Sequence, residues 1–196
     1  RNAIFSTFGI ALFVVTTGRA EDFTVEQAKR LSGDKSGRLI LDHLTALSPE
    51  AAKELARFEG WLSLNGLTAL SSETAEALGQ HKGQLHLDGL TSLSPEAARA
   101  LARHNGELSL NGLTSLSDEA GVALAKHTGG RLYLKGVKSL STEVGQALAQ
   151  RKGGGPSNQV RLDGPADAPG VPGALQMKLR APRAAAVSTR VITNTA

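Results

Sequence analysis

The 196-residue chain contains no cysteine, which excludes disulfide bonds, a thiolate nucleophile and a lipid-anchored cysteine. It also lacks the HExxH pattern of zinc proteases and a phosphate-binding loop ending in Gly-Lys-Ser or Gly-Lys-Thr. No other cluster of side chains indicates catalysis. We therefore predict that the protein is not an enzyme and has no cofactor.

The chain also lacks a concentrated excess of positive charge. Its net charge of +4 arises mainly outside residues 21–164, which contain 16 Lys or Arg and 17 Asp or Glu. The excess comes from the two ends, in Arg1, Arg19, Lys178, Arg180, Arg183 and Arg190. Nucleic-acid binding requires a basic stripe on one face. We therefore predict no nucleic-acid partner.

Five consecutive copies of one 23-residue segment occupy most of the chain. The copies are residues 38–60, 61–83, 84–106 and 107–129 and, after the inserted Gly130, residues 131–153. The third copy reads QLHLDGLTSLSPEAARALARHNG. A fixed period of this length is typical of a stacked array. One copy has too few apolar side chains to fold alone, so we expect neighbouring copies to pack together.

Each copy begins with the pattern of a strand and a turn. Leu85 and Leu87 are one residue apart, so a strand directs both to one face and Gln84, His86 and Asp88 to the other. The next residue, Gly89, completes an Asp-Gly turn signal, because glycine adopts positive φ without penalty. The strand is therefore predicted to end there.

The second half of each copy has the pattern of a capped helix. Ser94 supplies a hydroxyl cap, Pro95 occupies a position where no amide bond is lost, and Glu96 lies near the positive helix end. Gly106 is predicted to be the C-cap. Between them an apolar stripe at helical spacing is expected to face the strands.

Leucines repeat in register along the copies. The set is Leu39, Leu62, Leu85, Leu108, Leu132; Leu41, Leu64, Leu87, Leu110, Leu134; Leu47, Leu70, Leu93, Leu116, Leu140; and Leu55, Leu78, Leu101, Leu124, Leu148. In a fifth column Val137 replaces the leucine found at Leu44, Leu67, Leu90 and Leu113. These columns are the predicted core.

The spacing Leu-x-Leu-x-x-Leu at Leu85, Leu87 and Leu90 resembles the strand segment of leucine-rich repeats. Over about residues 38–153 the pattern is similar to leucine-rich-repeat-like arrays of exported bacterial proteins. It departs from the family where Leu67, Leu90 and Leu113 stand at the family's Asn or Cys position. We expect the Asn/Asp-Gly turns to replace the family's asparagine ladder.

The resemblance and the repeat together predict an α/β fold, a curved β/α solenoid of about five full 23-residue repeats. Parallel strands lie about 4.8 Å apart, whereas packed helices lie roughly 8–10 Å apart. The array should therefore curve, with the parallel sheet on the concave side and the helices on the convex side.

The segments flanking the array have distinct patterns. Residues 1–20 have a charged start, a short apolar core and a small-x-small end, which predicts a signal peptide cleaved after Ala20. An uncleaved membrane anchor is the alternative, although the apolar run is shorter than the roughly 20 residues of a spanning helix. Because Arg1 is not methionine, we also expect the sequence to lack its first residues. The predicted location is exported: periplasm, cell envelope or extracellular, without membrane insertion after cleavage.

Residues 21–37 resemble half a copy and predict an N-terminal helical cap without its own strand. Residues 154–164 contain Val160, Leu162, Asp163 and Gly164 in the strand and turn order, which predicts a degenerate terminal strand. Residues 165–196 are rich in Ala, Pro and Gly without a clear apolar period, so we predict a disordered tail or linker.

Histidines form a column near the predicted helix C-termini. His81, His104 and His127 are equivalent positions, continued by Phe58 and Arg151. A zinc site would need nitrogens about 2 Å from one ion, and helices 8–10 Å apart are too far separated for that. We therefore favour placement at the negative helix end over a metal site.

A column of glutamates marks the helix starts. A carboxylate stabilises the positive end of a helix, and calcium binding is the alternative interpretation. We favour the capping role and predict no metal site. The column is Glu50, Glu73, Glu96, Glu119 and Glu143.

The polar side of the strands carries the candidate binding residues. Unlike the leucines, these positions differ from copy to copy, and they include Trp, Tyr and Arg, which anchor many interfaces. Ser63, His86 and Asp88 occupy repeat positions and do not indicate a catalytic triad. The candidate residues are Arg38, Trp61, His86, Glu107, Arg131 and Tyr133.

The sequence therefore predicts a non-enzymatic exported repeat scaffold. It would bind a protein or a glycan through its concave strand face, and we expect a monomer. One alternative is a structural cell-envelope protein that self-associates through its repeats. A solvated face without a partner and a repeat fragment of a larger protein are the others.

Overall fold

Residues 23–34, 36–151 and 160–161 are described by a computed structural model. Helices and strands alternate along these residues in the order α1 (Val25–Ser32), β1 (Arg38–Ile40), α2 (Pro49–Leu55), β2 (Trp61–Ser63), α3 (Ser72–Leu78), β3 (Gln84–His86), α4 (Pro95–Leu101), β4 (Leu108–Ser109), α5 (Asp118–Ala125), β5 (Leu132–Tyr133), α6 (Thr142–Ala149) and β6 (Val160–Arg161). The predicted signal peptide and the predicted tail lie outside the described residues.

The strands form one all-parallel sheet whose spatial order follows the chain, from β1 to β6. Consecutive helices from α1 to α6 contact one another in the same order. The predicted α/β class is therefore confirmed. No helix within the described ranges has the length and apolar character needed to cross a membrane.

Equivalent leucines pair across the sheet. Leu39 aligns with Leu62, which aligns with Leu85, and the series continues through Leu108 and Leu132 to end at Val160. The register therefore advances by one βα unit at each step. Gly130 is absorbed in the loop before β5, where its backbone N–H donates to the Gly106 carbonyl at 2.9 Å.

Serine hydroxyls begin five of the helices as predicted. Each accepts a backbone N–H three residues further on, at 3.1–3.3 Å. A glutamate lies in the first turn of each of these helices, which confirms its placement at the positive end. The caps are Ser48, Ser71, Ser94, Ser117 and Ser141. Thr24 caps α1 in a reciprocal capping box with Gln27.

The core lies between the sheet and the helices. Strand leucines and the leucines near the C-termini of α2 to α6 are fully buried with the small alanines of the helices. In one predicted column Leu140 is buried, whereas Leu47, Leu70, Leu93 and Leu116 are only partly buried, against the edge of this core. The alternation of apolar and polar residues in each copy thus produces one continuous apolar layer.

The predicted turn at Asp88 and Gly89 is present, but the predicted backbone roles of Gly89 and Gly106 are wrong. Helix α4 ends at Leu101 with Ala102 as its C-cap, so Gly106 is not the cap. Gly89 does not adopt positive φ; within the described residues only Gly37 does, at 75°. A Cβ on Gly89 would instead overlap the Asn65 carbonyl oxygen of the preceding unit. These glycines are needed because neighbouring backbones approach closely.

Candidate functional site

The polar side of the sheet, here called the strand face, consists of three aligned columns. The first is Arg38, Trp61, Gln84, Glu107 and Arg131; the second is Ile40, Ser63, His86, Ser109 and Tyr133; the third is Asp42, Asn65, Asp88, Asn111 and Lys135. All six predicted binding residues are in the first two columns, and all are partly or fully exposed.

Three predicted residues form a contact cluster at the β1–β3 end of the strand face. The Arg38 guanidinium carbon lies 3.2 Å from the centroid of the Trp61 ring, a cation–π contact. The His86 ring meets Trp61 edge-on, with centroids 5.0 Å apart and planes at 76°. Trp61 is therefore covered by Arg38 and held laterally by His86.

The other three predicted residues cluster at the β4–β5 end. Arg131 Nη1 lies 3.6 Å from Glu107 Oε2, in a pair whose side chains are partly exposed. Burial raises the pKa of the Tyr133 phenol, and the neighbouring Glu107 carboxylate raises it further. Tyr133 thus remains a neutral hydroxyl beside an ion pair.

His86 connects the two clusters. Burial lowers the pKa of its imidazole, while the nearby carboxylates of Asp88, Glu107 and Asp42 act in the opposite direction. Because Glu107 belongs to the second cluster and Trp61 to the first, His86 lies between them. The six residues therefore lie in two clusters on neighbouring strands of one face, Arg38, Trp61 and His86 at one end and Glu107, Arg131 and Tyr133 at the other, which together we call the binding strip.

Large and small residues alternate in the second column of the strand face. Ile40, His86 and Tyr133 occupy odd-numbered units, and Ser63 and Ser109 occupy the even-numbered ones. Both serines are almost fully buried, although their side chains point to the polar side of the sheet. The register aligns Ser63 with Ile40 and His86, and Ser109 with His86 and Tyr133, on the adjacent strands. In the second column, the large side chains of the binding strip thus alternate with small, buried serines.

A hydrogen-bonded ladder runs along the third column, at the predicted Asn/Asp-Gly turns but with serine members that the sequence analysis missed. Asp42 Oδ1 accepts from Ser63 Oγ at 2.6 Å and from the Asn65 backbone N–H at 2.9 Å. Asn65 Oδ1 then accepts from the Asp88 N–H at 2.9 Å. The two-unit pattern repeats from Asp88 through Ser109 and Asn111 to the Lys135 N–H.

The side-chain oxygen of each turn residue in this ladder therefore accepts the backbone N–H of the equivalent residue in the following unit. Asn65 and Asn111 also donate through Nδ2 to the serine two residues earlier in their own unit, at 2.9 and 2.8 Å. These bonds confirm that the Asn/Asp-Gly turns carry a ladder. The sequence signal was an alternation between copies. One copy has Ser-x-Asn, as at Ser63 to Asn65, and the next has a large residue followed by x-Asp, as at His86 to Asp88.

The histidines follow the helix C-termini as predicted, but their rings are buried in a column. The rings of His81 and His104 are stacked with centroids 5.8 Å apart, and those of His104 and His127 are 6.1 Å apart. Phe58 stacks on His81 at one end, and Arg151 contacts His127 at the other. We call these five residues the imidazole column.

Burial keeps the three histidines of the imidazole column neutral. It lowers the pKa of His81, and it lowers the pKa of His104 and of His127 to about 4. Neighbouring positive charge adds to this effect, from His81 at His104 and from Arg151 at His127. The alternative of a metal site gains no support, since the described residues contain no group of His, Cys, Asp or Glu placed to hold an ion.

Comparison with known proteins gives no match among protein-family models, curated proteins or solved structures. The resemblance to leucine-rich repeats therefore rests on the sequence pattern and remains a prediction.

Proposed function

We propose that the chain is a non-enzymatic exported scaffold, a curved leucine-rich-repeat-like β/α solenoid that binds a partner protein through its strand face. The supporting observation is the binding strip, which places Arg38 and Trp61 at one end of the strand face and Arg131 and Tyr133 at the other. Arg, Trp and Tyr contribute most of the binding energy in many interfaces.

The imidazole column supports the proposed curvature. Its ring centroids are 5.8–6.4 Å apart, whereas parallel strands are spaced by about 4.8 Å. The wider spacing of the rings favours units that lie further apart towards the helices than at the sheet. A stack that widens in this direction bends with the strand face on its inner side, and a partner would contact several strands at once.

A second favourable feature is the rigidity of the strand face. The polar ladder joins the turns of successive units from Asp42 to Lys135. A backbone held in this way loses little conformational freedom when a partner binds, so more of the contact energy contributes to affinity.

The environment of Trp61 favours a protein over a glycan. Arg38 already covers the indole ring, and the indole Nε1 is buried without a hydrogen-bond partner among the described residues. A sugar stacked on that face of the ring would first have to displace Arg38. A protein carboxylate, in contrast, can bind the outer side of the Arg38 guanidinium while Trp61 keeps its contact.

The test uses the 196-residue chain as bait for an envelope fraction, followed by titration with the purified captured protein. We expect Tyr133→Ala and Arg38→Ala each to raise the Kd about tenfold or more. Arg103→Ala is the matched control, because Arg103 is exposed beyond the end of α4 and away from the strand face. Its Kd should stay within about twofold of the unmodified chain.

Equal affinity of all three variants would contradict a binding role of the strip. Capture of a glycan polymer, in place of a protein, would contradict the protein assignment. Concentration-dependent oligomers in size-exclusion chromatography, without any captured partner, would support the self-associating envelope element instead.

A further inference from the structure

The imidazole column is a buried row of titratable groups that the proposed binding role does not use. His81, His104 and His127 are each at most 1% exposed, and Arg151 is 8% exposed. The column crosses units from α2 to α6, so it joins almost the whole array along a line parallel to the sheet. A change in its charge would act on several units together.

Hydrogen bonds assign the protonation state of the two ends of the column. His81 Nε2 lies 3.0 Å from the Gly60 carbonyl oxygen and must donate to it. Arg151 Nη2 donates to His127 Nδ1 at 2.9 Å, so Nδ1 carries a lone pair and the His127 ring is neutral. Arg151 also donates twice to the His127 carbonyl, from Nε at 3.1 Å and Nη2 at 2.7 Å.

The remaining ring nitrogens make no hydrogen bond of good geometry within the described residues. Both nitrogens of His104, Nδ1 of His81 and Nε2 of His127 are buried without a hydrogen-bond partner in the described residues. An imidazolium donates from both nitrogens. Backbone groups of Glu107, His81 and Gly83 raise the pKa of His104, but burial lowers it more, so protonation would bury a charge that these contacts do not compensate.

No carboxylate in the described residues faces the column as an ion-pair partner. The charged group that contacts it is Arg151, a cation. In the adjacent loops Glu59 and Lys82 pair with each other at 4.0 Å on the surface, and both are exposed. Arg103 and Lys126, next in sequence to His104 and His127, are exposed too. Protonation thus adds positive charge beside positive charge.

The column also supports the residues that enter the strands. The Gly60 carbonyl accepts from both His81 Nε2 and the Gln84 backbone N–H, each at 3.0 Å. A Cβ on Gly106 would lie 2.9 Å from His104 Nε2, so that ring packs directly against the segment before β4. Separating the rings would therefore loosen the contacts between neighbouring units.

We propose that the imidazole column is an acid-triggered opening device, in which protonation of His104 and His127 separates the C-terminal βα units, from α5 onwards, before the N-terminal units. The C-terminal end opens first because the Arg151 guanidinium contacts His127, whereas the opposite end is closed by the apolar ring of Phe58. This inference does not depend on the identity of a binding partner.

The test measures amide hydrogen exchange of the 196-residue chain between pH 7 and pH 5, corrected for the intrinsic exchange rate. Carboxylates, with pKa values near 4, change little over this range. Below pH 6.5 the opening constant of α5 and α6 should rise about tenfold per pH unit for each histidine that is protonated only in the open state. The protection of α2 should change much less.

The matched variant is His104→Phe, because Phe58 already occupies the equivalent position in the first copy and is fully buried. Because this variant has one titrating histidine fewer, the rise in the opening constant of α5 and α6 per pH unit should be about tenfold smaller than in the unmodified chain. His43→Phe is the control, since His43 is exposed. It should keep the unmodified pH dependence.

Uniform loss of protection in α2 and α6, or an unchanged pH dependence in His104→Phe, would overturn the proposal. If His104→Phe fails to fold, NMR titration of the ring protons in the unmodified chain decides. No titration of His104 and His127 above pH 5 in the closed state would support the device, and midpoints near 6.5 would overturn it.

Discussion

Replacing Gly83 by alanine should push two neighbouring βα units apart. An added Cβ would lie 2.6 Å from the Gly60 carbonyl carbon and would overlap its oxygen. That oxygen accepts two hydrogen bonds, from Gln84 N–H and from His81 Nε2, each at 3.0 Å. Because the obstruction is backbone, rotation of a side chain cannot relieve it.

The magnitude follows from these contacts. Overpacking in a well-packed region costs about 1–3 kcal/mol, and weakening the two hydrogen bonds to Gly60 adds about 0.5–1.5 kcal/mol each. We expect Gly83→Ala to lower the free energy of unfolding by about 2–6 kcal/mol. Urea unfolding followed by far-UV circular dichroism would measure the change.

Gly33→Ala is the control for this substitution. Its Cβ would meet its nearest neighbour, the Arg30 carbonyl oxygen, at 3.6 Å, and Gly33 has an ordinary φ of −83° at the end of α1. We expect a change within about 0.5 kcal/mol. A loss in Gly83→Ala no larger than in Gly33→Ala would refute the close-approach explanation of this glycine column.

Three further predictions concern the ladder, the binding strip and pH. Asp88→Ala should lower the free energy of unfolding by about 2–4 kcal/mol in urea titrations, because it leaves a buried hydroxyl and a backbone N–H without their acceptor; a change below 0.5 kcal/mol would contradict the ladder's role. Arg38→Ala should shift the fluorescence emission of Trp61, the single tryptophan, to longer wavelength, because water replaces the guanidinium; an unchanged spectrum would contradict the contact. The pKa values of His104 and His127 are about 4 in the native state against 6.5 in the unfolded chain, so the unfolded state binds more protons between these values and stability falls as pH decreases from 6.5 towards 4. At about 1.4 kcal/mol per pH unit each histidine contributes about 3 kcal/mol to this loss, and calorimetric unfolding that is independent of pH from 7 to 5 would contradict it.

The sheet and the helices could be predicted because their determinants are local. Leu85 and Leu87 have the period of a strand, and Ser94, Pro95 and Glu96 have the order of a helix start. All of these residues behave as the sequence indicates. The register of the strands could also be predicted, because a one-residue shift would expose every strand leucine.

Features that depend on contacts between units were harder to predict. Gly83 and Gly106 resemble ordinary turn or cap glycines in one copy, and only the approach of the next backbone explains them. Ser63 and Ser109 are buried because larger side chains flank them on both neighbouring strands. The sequence of one copy does not show how closely the neighbouring copies pack against it.

The burial of the histidines had a signal that the sequence analysis did not use. Phe58 occupies the equivalent position in the first copy and is fully buried, as an apolar ring at a repeated position usually is. The placement of the binding-strip residues on one face followed from strand alternation. Their grouping through His86 required the side-chain geometry.

The alternation of Ile40, Ser63, His86, Ser109 and Tyr133 across the sheet has an evolutionary consequence. Duplication or loss of a single 23-residue segment would bring two bulky side chains, or two serines, onto neighbouring strands. It would also place two aspartates, or two asparagines, side by side in the turn series, where aspartate and asparagine now alternate. An array of this kind gains or loses length most readily by two segments at a time, so 46 residues form its natural increment of growth.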